Sequence, residues 1–131
     1  GAAYALASAH LEQETQSIGA LSARLRDGLL QLSGVRLNGC AQQRIPHTLN
    51  VCIDVPGFNS ATLANELALS STSACNSASA GPSHVLVALG LSAEQAQRSV
   101  RLSLGRYTTQ ADVDRAIDVI GQALSAPPAL W

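Results

Sequence analysis

The chain has 131 residues, of which 47% are hydrophobic and only 13% charged, and its formal net charge is −1. That length suits one ordinary domain with a real core, and scattered arginines without a basic run or interleaved aromatics exclude a nucleic-acid footprint. No apolar run approaches the length of a membrane span, so no membrane partner is expected.

Two residue types are missing. All eight basic residues are arginine, so chemistry that needs a lysine Schiff base cannot be completed by this chain. There is no methionine, and a helical pattern starts at Ala2 without a capping residue, which predicts a chain cut or processed from a longer one. The three cysteines, Cys40, Cys52 and Cys75, lie 12 and 23 positions apart. That is no zinc pattern, and an odd count without disulfide spacing suits a reducing, cytoplasmic setting. For Cys40 and Cys52 the expectation is a small buried hydrophobe.

Residues 2–32 read as one helix. Tyr4, Leu11, Ile18, Leu25 and Leu32 recur every seven positions, Leu21 and Leu29 widen the stripe, and Gly34 is the expected left-handed cap. Gly19 and Gly28 each weaken such a helix by roughly 1 kcal/mol relative to Ala, so packing must hold it. Residues 35–37 predict a short edge strand closed by Asn38-Gly39, and 40–44 are polar and irregular.

Residues 47–55 give the clearest strand. Leu49, Val51, Ile53 and Val55 point one way, and Thr48, Asn50, Cys52 and Asp54 the other, so one face should meet the core while the other stays polar. Asn59 or Ser60 then caps a predicted helix carrying Leu63 and Leu67 inward. A short apolar helix is expected over 84–89 with Gly90 as its cap, and another turn from Ser92 through Arg98. Residues 99–104 form a second alternating strand that buries Val100, Leu102 and Leu104 and turns Arg101 and Ser103 to the polar face. Thr109 and Asp112 have capping-box spacing, with Asp in place of Glu or Gln, before a helix whose Val113, Ile117, Ile120 and Leu124 form one stripe. The fold class is therefore α+β, a two-layer sandwich with a small antiparallel sheet covered by helices.

Between the two long strands runs SSTSACNSASAGPSHVLVALG, from Ser70 to Gly90. Small polar residues cannot build a core, so 70–81 should be an exposed, mobile loop that carries a single thiol, Cys75. A thiolate needs nearby positive charge or a helix N-terminus, and Glu66 and Glu94 are the only charged residues between Asp54 and Arg98, so no local group activates Cys75. His84 is a candidate base, although its cation is disfavoured in the first turn of a helix. Arg101, held on a rigid strand among apolar neighbours, suits bidentate capture of a carboxylate as well as it suits a surface ion pair. Arg106 reads as structural or solvated.

The segment SSTSACNSASAGPSHVLVALG resembles the region around the sulfur-carrying cysteine of cysteine desulfurases, the NifS/IscS-type pyridoxal-phosphate enzymes. SVRLSLGRYTTQADVDRAI resembles the strand, turn and helix that follow it, and N-G-C-…-R-I-P-H-T-L-N-V and the closing A-L-W also look related, so the likeness spans essentially the whole chain. It implies the small C-terminal domain of a fold-type-I, aspartate aminotransferase-like enzyme over residues 1–131. By that resemblance Cys75 is the nucleophile that takes sulfur from cofactor-bound L-cysteine, becomes a persulfide and leaves alanine, while Arg101 holds the substrate's α-carboxylate. The implied cofactor, pyridoxal 5'-phosphate, would sit on a large domain with its own lysine. The implied partners are that large domain, a sulfur-acceptor protein and a second copy in a homodimer.

The sequence departs from the family's pattern at Thr72, where glycine is usual, and at Gly81, where an acidic residue usually precedes the proline. The isolated chain is expected to be inactive. Two other readings stay open: a non-enzymatic thiol-presenting sulfur relay or partner-binding domain, and an aminotransferase-like enzyme in which Cys75 is incidental.

Overall fold

The computed structural model describes residues 1–70 and 81–125. Among them the order is α1 (Ala2–Leu30), β1 (Val35–Leu37), β2 (Thr48–Ile53), a 3-10 turn (Ser60–Leu63), α2 (His84–Ala88), α3 (Ala93–Gln97), β3 (Ser99–Ser103) and α4 (Gln110–Ser125). The three strands form one antiparallel sheet in the order β1-β2-β3. The α+β expectation holds.

Alternation along the strands decides which residues meet α1 and α4. Leu49, Val51, Ile53, Val100 and Leu102 lie on one face and join Leu25 and Leu29 of α1 and Val113, Ala116, Val119 and Ile120 of α4 in a single core. The α4 stripe is rotated from its predicted line: Ala116 and Val119 are buried, while Ile117 and Leu124 flank the core. Ile117 turns toward Gly28, where a Cβ on the glycine would overlap its Cδ1. The glycine that weakens α1 as an isolated helix is what lets the two helices approach.

Helix α1 is about 44 Å long at 1.5 Å per residue, and its buried residues, Ser22, Leu25 and Leu29, all lie in its C-terminal third. Tyr4 and Leu11 of the predicted stripe are exposed. Heptad spacing shows that a helix can bury a face, whereas the sheet is long enough to cover only one end of it. No described helix is long and apolar enough to cross a membrane.

The polar face of the sheet differs most from expectation. Cys52, predicted on the solvated side, is 1% exposed, and Ser99 beside it is 0% exposed. Helix α3 closes over both, and its Gln95 carbonyl accepts from the Cys52 thiol at 3.5 Å and from the Ser99 hydroxyl at 2.8 Å. Ser92 and Gln95 form a reciprocal capping box that starts α3 there. The expected helix after Asn59 is one 3-10 turn. It buries Leu63, half-buries Leu67, and releases the chain toward the sheet edge at Ser70 before a longer helix can propagate.

Candidate functional site

Arg101 stands in the middle of β3, directly opposite Asn50 of β2. On its other side the backbone of Ser70 pairs with it, the Arg101 N–H donating to the Ser70 carbonyl at 2.7 Å and the Ser70 N–H to the Arg101 carbonyl at 3.1 Å. Opposed residues of antiparallel strands share a face. Arg101 is therefore clamped by backbone on both sides, with its half-buried side chain on the face away from the core. The Ser70–Arg101 bridge had no signal in the strand pattern, because Ser70 lies in no alternating run.

The other arginines separate from Arg101 by their partners. Arg24 pairs with Asp114, Arg26 with Asp27, Arg36 and Arg98 with Asp54, Arg106 with Glu14 and Arg115 with Glu66. Arg101 has no ion pair and no guanidinium hydrogen bond among the described residues. The surface ion pair, one of its two readings, is therefore absent there, and a guanidinium on rigid backbone is left with its donors available. Arg44 also lacks a carboxylate partner; its Nη2 reaches the Thr48 carbonyl at 3.4 Å, and its Nε and Nη1 are buried without a partner.

Next to Arg101 on the same face lies a chain of side-chain hydrogen bonds. Ser99 Oγ donates to the Gln95 carbonyl and accepts from Asn38 Nδ2 at 3.0 Å, and the same Nδ2 donates to Asn50 Oδ1 at 2.6 Å. The Asn38 backbone N–H donates to the Asn50 carbonyl at 2.9 Å, which extends the β1–β2 ladder by one row. Sequence reading placed Asn38 in a turn and so missed this network.

Cys75 and Thr72 lie outside the described residues. His84 opens α2 and is exposed. Of the other thiols, Cys52 is buried, as expected of a small hydrophobe although on the face the strand alternation predicts to be polar, whereas Cys40, also expected to be buried, is exposed in the irregular segment that follows β1. Its Sγ accepts from the Gln43 N–H at 3.3 Å. The backbone N–H groups of Gln43 and then Gln42, with a smaller contribution from the charge of Arg44, hold its pKa below the usual thiol range. No group of three metal-ligating side chains occurs among the described residues. A recess of about 380 Å³ is lined by Leu25, Leu102, Leu104, Tyr107 and Val113 among others, and Arg101 is not part of its lining.

Comparison with known proteins shows the family and the fold. The aminotransferase class-V family is matched over residues 1–116. Cysteine desulfurase IscS of Vibrio cholerae is 44% identical over 135 residues, covering 100% of this chain and 33% of that protein. The protein of the same name from Ruthia magnifica is 44% identical over 121 residues, covering 92% and 30%. A solved NifS-like protein from Rickettsia africae superposes on 93% of the chain with a TM-score of 0.76 at 21% identity, a likeness of fold. Another solved NifS-like protein gives a TM-score of 0.69 at 27% identity over 92% of the chain. The chain spans about a third of the length of these curated relatives. Its three-stranded antiparallel sheet and flanking helices have the aspartate aminotransferase-like fold of the NifS-like enzymes, and the chain belongs to the aminotransferase class-V family.

Proposed function

We propose that this chain is the small domain of a cysteine desulfurase, contributing a sulfur-accepting thiol, Cys75, and a substrate-carboxylate anchor, Arg101. The observation that carries the reading is the backbone bridge between Ser70 and Arg101. Ser70 begins the polar segment whose sequence carries Cys75 five positions on, and it pairs with the strand whose Arg101 guanidinium has no ion pair among the described residues. The strand with the anchor and the start of the segment with the acceptor are thus paired at one sheet edge. In the reaction the Cys75 thiolate attacks the sulfur of L-cysteine, an S–S bond forms and the Cβ–S bond breaks. The carbon keeps that electron pair and takes a proton to give alanine, and the persulfide on Cys75 goes to an acceptor thiol.

The residues of this chain do not fit pyridoxal phosphate as its covalent site, because the chain contains no lysine. The cofactor, its lysine and the homodimer contacts belong to the rest of the enzyme in this reading. The 44% identity to proteins named cysteine desulfurase supports it.

The test uses the enzyme assembled with its pyridoxal-phosphate domain and measures alanine released from L-cysteine. Cys75→Ser should abolish release while the cofactor's absorbance band stays. Arg101→Leu should raise the KM for L-cysteine by roughly a hundredfold through the lost charge-assisted pair. Full activity in Cys75→Ser would sink the proposal and favour an aminotransferase-like enzyme. A chain that accepts persulfide from a separate enzyme, with no cofactor requirement of its own, would mark a sulfur relay.

A further inference from the structure

We propose that the side-chain amide of Asn50 is a second donor of the carboxylate site, acting beside Arg101; this deepens the functional reading above and rests on it for the identity of the substrate. The orientation of the Asn50 amide follows from its neighbours. The Gln95 carbonyl can only accept, so the Ser99 hydroxyl must spend its proton there. Ser99 Oγ is then left with lone pairs, and the Asn38 group facing it must be the NH2. The same NH2 reaches Asn50, which must present its oxygen in return. Both amide protons of Asn50 are therefore turned away from the network, and its Nδ2 has no partner among the described residues.

Those two protons lie beside Arg101. Asn50 and Arg101 are directly opposed across β2 and β3, and such pairs hold their Cβ atoms about 5 Å apart on one face. Both side chains are half-buried, and neither meets a carboxylate among the described residues. A planar guanidinium and a planar amide on opposed residues, neither with its donors engaged among the described residues, form a donor set complementary to a carboxylate: Arg101 supplies charge and Asn50 a directed neutral donor. The buried network fixes the amide before a ligand arrives, because flipping it would set two NH2 groups against each other and leave Asn38, itself 8% exposed, with an unsatisfied donor.

The test has two arms. In the first, the labelled chain is titrated with L-alanine, and with alaninamide as the control that lacks the carboxylate, while the side-chain NH2 resonances of Asn50 are followed by NMR. They should move saturably with L-alanine and stay fixed with alaninamide, and Arg101→Gln should weaken the response at least about tenfold. Asn50 resonances that do not respond to the carboxylate overturn the proposal. In the second arm, Asn50→Asp keeps the oxygen that Asn38 needs, and so the fold, but sets an anion where the donors stood. The assembled desulfurase carrying it should show a KM for L-cysteine raised by roughly ten- to a hundredfold, with kcat far less affected. An unchanged KM also overturns the proposal. If the unmodified enzyme releases no alanine, the desulfurase reading fails by itself, and the titration still decides the carboxylate site.

Discussion

Gly28 of α1 and Ile117 of α4 meet so closely that the space a Cβ would need on the glycine is occupied by the isoleucine side chain. This contact sets how near the two helices lie and hence how they cover the sheet. Replacement by Ala should be close to neutral, since the gain in helix propensity of about 1 kcal/mol offsets the displacement of a flexible side-chain end. Replacement by Val should destabilise by about 1–3 kcal/mol through overpacking. Denaturant midpoints of the two variants, alone and combined with Ile117→Ala, check this. The smaller partner should recover most of the loss in Gly28→Val, and a cycle without coupling would show that the contact does not limit helix approach.

The two described thiols should separate by reactivity. Cys40 is exposed and its thiolate is favoured by the N–H groups of Gln43 and Gln42, whereas Cys52 is shut between the sheet and α3. In native protein, peptide mapping after brief alkylation should find Cys40 modified and Cys52 intact, with Cys52 reacting only on unfolding. The rate at Cys40 should rise at lower pH than for an unperturbed thiol, because a depressed pKa populates the thiolate earlier. Equal labelling of both sites would contradict the burial of Cys52.

Acid should loosen the α4 end of the fold first. The Thr109 hydroxyl and then its backbone N–H hold the Asp112 carboxyl below the usual carboxylate range, and the Arg24 guanidinium does the same for Asp114. A carboxylate with a depressed folded-state pKa adds stability that is complete above the unfolded value, near 4, and is lost as pH falls through the folded value. Unfolding midpoints measured from pH 7 down to pH 2.5 should therefore be flat at first and then decline, and Asp112→Asn or Asp114→Asn should flatten the decline. Both groups are solvent-exposed, so each effect should be small and should shrink with added salt. An acid limb unchanged in both variants would show that neither carboxylate drives it.

Much of the scaffold was legible because the local signals were complete in themselves. Gly34 takes the left-handed φ of +82° expected of a helix stop, and a Cβ there would come within 2.7 Å of Val55 Cγ2. Thr109 and Asp112 form the predicted reciprocal cap at 2.8 Å and 3.2 Å, with aspartate reaching as far as the motif requires. The boundaries of β2 and β3 fall within two residues of the alternating runs, since period-two burial leaves little freedom of register. Arg101 was found as a candidate for a similar reason, a cation on a strand among apolar neighbours.

What the sequence alone determined, then, was the set of elements and which residues of each share a face, because helix and strand periods are properties of consecutive residues. Only the tertiary structure decided what lies against each face. It laid α3 over Cys52 and Ser99, left the first half of α1 uncovered, and brought Ser70 and Asn50 to either side of Arg101. These pairings join residues 31 and 51 positions apart in the chain. Local periodicity carries no information at that separation; they are set by how the closed core routes the chain back to the sheet.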